Sequence, residues 1–141
     1  MEKKTLYKSN ELNNDSVSLR LEVFVNEQGI DRKEEITGDD YLFNHFYLYI
    51  GDVLVSYARA RYIDDYCLIG RVVTKKEYRN KGYSSEVIRY IEQAALKDNV
   101  HLIKLHAQDV SLGFYLKLGY QVVSDQYYEA GVPHHNVEKR I

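Results

Sequence analysis

From Asp15 onward the apolar positions fit two templates at once. Val17, Leu19, Leu21, Val23 and Val25 alternate as a strand would, whereas Val17, Leu21, Phe24 and Val25 recur as one face of a helix. The helix is favoured, because Asn14 and Asp15 can cap its start and Arg20, Glu22 and Glu27 leave a polar face. Asn44 to Ile50 alternates with Phe46, Leu48 and Ile50 on one side, Gly51-Asp52 supplies a turn, and Val53, Val55 and Tyr57 resume the alternation. That pattern predicts a hairpin, and the apolar stretch Tyr66 to Val73 predicts the next strand. At Ser84 the period changes: Val87, Ile88, Ile91, Ala94 and Ala95 form a helical stripe, with Glu86, Arg89, Glu92 and Gln93 on the opposite face. A strand at Leu102 to Ala107, a short helix at Leu112 to Leu118 stopped by Gly119, an alternating Tyr120 to Val123 and a last strand within Val132 to Ile141 complete the reading.

Strands outnumber helices, and the strand-helix-strand unit from Tyr66 to Ala107 implies a crossover between parallel strands. The predicted class is mixed α/β (α+β) around one sheet. No repeat, linker or low-complexity stretch interrupts the chain, so residues 1–141 read as a single domain. At 141 residues, with 45% hydrophobic residues, a core can form without staples. The single Cys67 excludes an intrachain disulfide and a cysteine-based zinc cluster, and it reads as a small buried residue in its strand. His134-His135, His45 and His101 lack metal-ligand spacing, so no metal is expected.

The first ten residues have no apolar core of the kind a signal peptide needs, and the longest unbroken apolar run is Phe46 to Ile50, far short of the roughly twenty residues that span a bilayer. No membrane contact and a cytoplasmic, reducing setting are the expectations. A net charge of −2 argues against non-specific nucleic-acid binding. The charge is uneven, however. Arg71 to Lys81 carries five basic residues and one acid, whereas Glu22 to Asp40 carries seven acids and two bases. An anionic ligand at the first segment and a cationic one at the second would fit, as would two solvated faces.

The basic segment lies where a strand ends, a turn follows and the long helix begins. Such a junction points free backbone N–H groups, and the positive end of the helix dipole, at whatever occupies the turn. Phosphate is the natural occupant: Gly82 lets the backbone approach closely, and Arg79 and Lys81 add charge-assisted contacts. A plain surface loop capped by Ser84 and Ser85 is the alternative. The glycine pattern is neither a Walker loop nor a dinucleotide turn.

Arg79-Asn80-Lys81-Gly82-Tyr83-Ser84 resembles the Q/R-x-x-G-x-G/A signature of the GNAT superfamily of acyl-CoA-dependent N-acetyltransferases, with Ser84 in place of the final Gly or Ala. Phe114-Tyr115-Leu116-Lys117-Leu118-Gly119-Tyr120 is similar to the stretch that follows that family's fifth strand. Leu19-Arg20 with Val23-Phe24-Val25-Asn26-Glu27-Gln28, Thr37-Gly38-Asp39-Asp40, Ile69-Gly70-Arg71-Val72-Val73 and Glu129-Ala130-Gly131-Val132-Pro133-His134 resemble the ElaA-like subgroup. Together these stretches span nearly the whole chain.

The resemblance implies a single mixed, mostly antiparallel sheet whose central parallel pair splays apart, flanked by helices. It implies acetyl-CoA as co-substrate, its pantetheine arm along Val72 and Val73 and its pyrophosphate on Arg79, Asn80, Lys81, Gly82, Tyr83 and Ser84. Gln108 stands near a position where many members contact the cofactor with Asn, and Tyr115 matches a tyrosine that commonly protonates the departing thiolate. The acceptor would be a small-molecule or peptide amine, and a homodimer is a common arrangement in the family.

The chemistry places its own demand on the residues. A primary amine with a pKa of about 10.4 must lose a proton before attack, at a cost of about 4–5 kcal/mol at pH 7, whereas a thiolate of pKa about 8.5 leaves readily. The base therefore matters more than the acid. Glu27 is the first candidate, with His106 and His134 as alternatives. The acidic stretch Asp31 to Asp40 is either a wall attracting a cationic amine or a solvated loop. A catalytically silent acyl-CoA sensor and a binder of nucleotide phosphates remain the competing functions.

Overall fold

The computed structural model describes residues 2–141. Among them the chain runs β1 (Lys4–Ser9), α1 (Asn14–Arg20), α2 (Arg32–Glu35), β2 (Asn44–Ile50), β3 (Val53–Ile63), β4 (Tyr66–Thr74), α3 (Tyr83–Lys97), β5 (Leu102–Gln108), α4 (Leu112–Lys117), β6 (Gln121–Val122), β7 (Tyr127–Glu129) and β8 (Val132–Arg140). The strands form one sheet in the order β1-β2-β3-β4-β5-β8-β6, with β7 also paired to β8. Every pairing is antiparallel except β4 with β5.

The helix template wins at the first ambiguous segment because its start is capped. Asn13, rather than the expected Asn14 or Asp15, accepts the Ser16 N–H at 2.8 Å. Beyond Arg20 the helix widens into π turns over Leu21–Glu27, where the Gln28 N–H reaches back five residues to the Val23 carbonyl at 3.0 Å. The widening keeps Val23 and Phe24 buried while swinging Glu27 and Gln28 toward the centre of the sheet. One expectation fails here: Arg20, read as part of a polar face, is completely buried.

The sheet separates two apolar layers. On one side α3 and α4 cover Leu48, Ile69, Ile103, Leu105 and Val137; on the other α1 and its π turns pack on Tyr47, Tyr57 and Val73. Cys67 lies in the first layer, 1% exposed, and burial pushes its thiol up to about 12. Native protein is therefore expected to resist iodoacetamide at pH 8 and to be alkylated once unfolded. Mass spectrometry reads the difference, and rapid alkylation of folded protein would contradict it.

The central pair β4–β5 is short. Its parallel register covers Cys67↔Ile103, Leu68↔Lys104 and Ile69↔Leu105, and then stops. The cause is on the other edge of β4, where Arg59 opposes Gly70 but Tyr57 opposes Val73, so Arg71 and Val72 together face the single residue Ala58. Arg71 takes φ 53°, and this bulge bends β4 away from β5. The splayed pair is thus built by one extra residue in β4.

Candidate active site

The gap between the splayed strands opens into a cleft of about 1280 Å³. Its walls include Ser84, Phe114 and Tyr115 from the α3/α4 side and Phe24, Ile30 and His134 from the α1 side. A cavity lined from both layers passes through the sheet, which suits a long ligand with chemistry at its far end.

At the α3 end the backbone supplies the site. Beyond Ile69, β4 has no β5 partner, so Val72 and Val73 line the cleft along an open strand edge. Asn80 and Gly82 adopt left-handed φ of 64° and 84°, which turns the chain sharply into α3. No side chain caps this helix. Its first backbone bond is from the Glu86 N–H to the Gly82 carbonyl, so the amides of Tyr83, Ser84 and Ser85 precede the hydrogen-bonded ladder. The plain-loop alternative required Ser84 and Ser85 as caps. Instead the Ser84 hydroxyl bonds the Thr74 hydroxyl, and the Ser85 hydroxyl donates to the Gly82 carbonyl at 2.8 Å. The hydroxyl at the position where the signature has Gly or Ala is therefore engaged with Thr74.

The side chains of the turn divide. Asn80, Gly82, Tyr83 and Ser84 line the cleft, whereas Lys81 does not and instead holds its ammonium 5.6 Å from the centre of the Tyr78 ring. Arg79 lines the cleft with its guanidinium already engaged. Its Nε donates to the Thr74 carbonyl at 3.0 Å, and its two terminal nitrogens grip the Glu27 carboxylate at 2.9 and 3.0 Å. Glu27 thus lies outside the cleft lining, held by a bidentate cation. Both oxygens of the Glu27 carboxylate are engaged by Arg79. Gln108 lines the cleft and donates to the Gln28 side chain at 2.8 Å, so the π-turn end is tied to residues on both sides of the splay. Arg89, nearly two turns into α3, and Lys117 also line the cleft. Sequence reasoning placed Arg89 only on a polar face, yet its four-residue spacing from Ser85 puts both on one side of the helix.

Tyr115 is 5% exposed and packs edge-on against Phe114 and Tyr120, with ring centres 5.0 and 5.9 Å away. Burial raises its phenol above the ordinary range, and among the described residues its hydroxyl has no hydrogen-bond partner. It is held protonated, free to donate into the cleft that it lines.

Opposite, the acidic stretch divides: Asp31 and Glu34 are exposed, whereas Glu35 and Asp40 are buried against arginines. Arg20 donates from Nε to Glu35 at 2.6 Å and from Nη1 to Asp40 at 2.7 Å, and Arg59 bridges Asp39 and Asp40 at 2.9 and 2.8 Å. Arg71 approaches the second oxygen of Glu35 at 3.0 Å. Three guanidinium groups thus neutralise three carboxylates. Burial raises the Glu35 carboxyl despite its arginines; at Asp39 burial is outweighed by hydrogen bonds from Thr37 and Arg59, which hold it at about 2. His45 completes the network. Its Nε2 donates to the Asp40 carbonyl at 3.1 Å, so its Nδ1 accepts from the Tyr57 hydroxyl at 2.6 Å, and desolvation lowers its pKa.

On the same side the β7–β8 hairpin brings in Glu129 and His134, facing His106 of β5. His135 points to the other face, with Nδ1 2.7 Å from Asp109. No group of three His, Cys, Asp or Glu suited to a metal occurs among the described residues, and no helix among them is long and apolar enough to cross a membrane.

Comparisons with known proteins bear on the family and the fold. Residues 10–141 match the family described as acetyltransferase (GNAT) domain. The uncharacterized N-acetyltransferase YjcF of Bacillus subtilis is 32% identical over 133 residues, 94% of this chain and 95% of that protein. Escherichia coli ElaA superposes with a TM-score of 0.84 at 26% identity, covering 98% of this chain and 99% of that one. A Bacillus subtilis acetyltransferase in complex with CoA, 14% identical, shares the fold with a TM-score of 0.75 over 99% of each chain. The chain belongs to the GNAT acetyltransferase family, and it is an acyltransferase.

Proposed function

We propose that this GNAT acetyltransferase takes acetyl-CoA as its donor and moves the acetyl group directly to a primary amine, with no acyl-enzyme intermediate. The observation that carries the reading is the uncapped start of α3 beside the unpaired edge of β4, both lining one cleft that crosses the sheet. The amides of Tyr83, Ser84 and Ser85 suit a pyrophosphate and the edge at Val72 and Val73 suits the amides of a pantetheine arm. Gly82 and Asn80 shape the cradle, Tyr83 walls it, and Gln108 borders the arm from β5. Arg89 and Lys117 add positive charge along the cleft wall. Arg79 serves the cradle by fixing the turn to the Thr74 carbonyl and to Glu27, and Lys81 contributes field rather than contact. A GNAT-fold neighbour in complex with CoA supports the donor assignment.

Tyr115 sits on the face where the thiolate departs. A phenol of pKa above 10 gives its proton to a thiolate of pKa about 8.5 only uphill, by about 2 kcal/mol or more. Its contribution is a hydrogen bond to the developing thiolate, with the proton following from the amine. Tyr115→Phe is accordingly expected to lower kcat only about tenfold, within the lower range of acid–base assistance, while acetyl-CoA affinity stays within a factor of about two. Steady-state rates with isothermal titration check this. A loss of binding would make Tyr115 part of the cradle instead.

Thiol release from acetyl-CoA across a panel of primary amines tests the reading. Amine-dependent release supports it, and binding of acetyl-CoA without turnover on any amine would favour a silent sensor.

A further inference from the structure

Across the sheet from Tyr115, which packs in the α3/α4 layer, the cleft wall carries His134 and Glu129. Along β8, Val137 points into the α3/α4 layer and Val132 packs against the α1 layer, so His134 shares the α1 face with Val132. His134 pairs with Gln108, three residues past the last β4–β5 pair at Leu105, and it lines the cleft while only 6% exposed. Its Nδ1 is 2.7 Å from the Val132 carbonyl, which can only accept. The proton of the neutral ring is therefore on Nδ1, and Nε2 carries a lone pair. Tyr127 stacks on the ring, with centres 5.8 Å apart, and fixes its orientation.

Facing that lone pair at 3.7 Å is Oε2 of Glu129. The other carboxylate oxygen, Oε1, already accepts from Nδ1 of His106 at 3.3 Å. Two acceptors thus face each other across a gap too long for a hydrogen bond, both on the cleft wall, with no donor from the protein between them. A group carrying at least two N–H bonds and a positive charge satisfies both.

We infer that His134 and Glu129 form the acceptor-amine site, Glu129 neutralising a primary ammonium and His134 acting as the general base. This rests on the acetyl-transfer reading above. His134 Nε2 takes one proton from R–NH3⁺, and the freed nitrogen lone pair attacks the thioester carbon. The C–N bond forms, the C–S bond breaks with its electrons on sulfur, and the second amine proton reaches the thiolate past Tyr115. Imidazolium then releases its proton to solvent, so the products are R–NH–acetyl, CoA thiol and one proton. Nucleophile and leaving group are served from opposite faces of the sheet.

The test uses n-propylamine as the probe nucleophile and two variants. His134→Ala is expected to lower kcat/KM for propylamine about 10²–10⁴-fold, with acetyl-CoA affinity unchanged and partial rescue by added imidazole. Glu129→Gln, at an exposed position, is expected to raise KM for propylamine about tenfold with a smaller change in kcat. His134→Ala turning over within twofold of the parent overturns the inference. A second readout needs no turnover: ¹⁵N spectra of histidine-labelled full-length protein should show His134 with its neutral proton on Nδ1 and an Nε2 signal that shifts on adding propylammonium chloride. A proton on Nε2, or no shift, overturns the inference even if acetyl-CoA binds. Failure of acetyl-CoA to bind would sink the donor assignment and leaves the Nε2 titration to judge the amine site by itself.

Discussion

Replacing Ser84 with aspartate is expected to abolish acetyl-CoA binding while leaving the fold as stable as before, or more so. Ser84 is the second residue of α3, one of the three whose amides lie ahead of the first helical hydrogen bond. A carboxylate there complements the helix dipole, worth about 0.3–1 kcal/mol, and can still accept from the Thr74 hydroxyl that Ser84 now meets. The same charge stands at the start of α3, beside the proposed pyrophosphate position. Like charges about 4 Å apart near a protein surface repel by up to about 4 kcal/mol, so affinity should fall about a hundredfold or more. Titration calorimetry with acetyl-CoA and a thermal melt read the two effects separately. Unchanged affinity would remove the phosphate cradle from the start of α3.

The second large effect is on stability. Arg20→Met should destabilise the protein by about 3–5 kcal/mol, the range for breaking a buried ion pair by removal of one partner. Arg20 is wholly buried and bonds Glu35, Asp40 and the Glu35 carbonyl, so its loss takes one of two guanidinium partners from each of two buried carboxylates. Arg59 and Arg71 remain, but each touches only one of the two carboxylates. For a chain of this size the melting temperature should drop by about 6–20 °C. A drop below about 1 kcal/mol would mean that the cluster is better solvated than its burial indicates.

What was legible in the sequence was whatever repeats locally. The stripe Val87, Ile88, Ile91 and Ala95 marked α3, the alternation around Gly51-Asp52 marked the β2–β3 hairpin, and the basic segment with Gly82 marked the turn into α3. Each rests on neighbours within a few residues. Arg20 was misread because a charged residue in a helix ordinarily faces water, and its partners Glu35 and Asp40 lie 15 and 20 residues away. The fate of Glu27 was hidden for two reasons. The π turns rotate it off the expected helical face, and Arg79, which claims it, is 52 residues distant. Strand β1 was missed because an edge strand with one half-buried Leu shows little alternation. The β7–β8 turn was missed because Ala130 and Gly131, both at positive φ, form it without the usual Asn or Asp. The bulge at Arg71 carries no sequence signal of its own, since a non-glycine residue at φ 53° follows from the fold around it.

The most direct measurement is thiol release from acetyl-CoA by the purified protein over a panel of primary amines, run beside Ser84→Asp. The account predicts release that depends on both protein and amine and disappears in the variant. Release that survives in Ser84→Asp, or a parent protein that fails to bind acetyl-CoA at all, would contradict it.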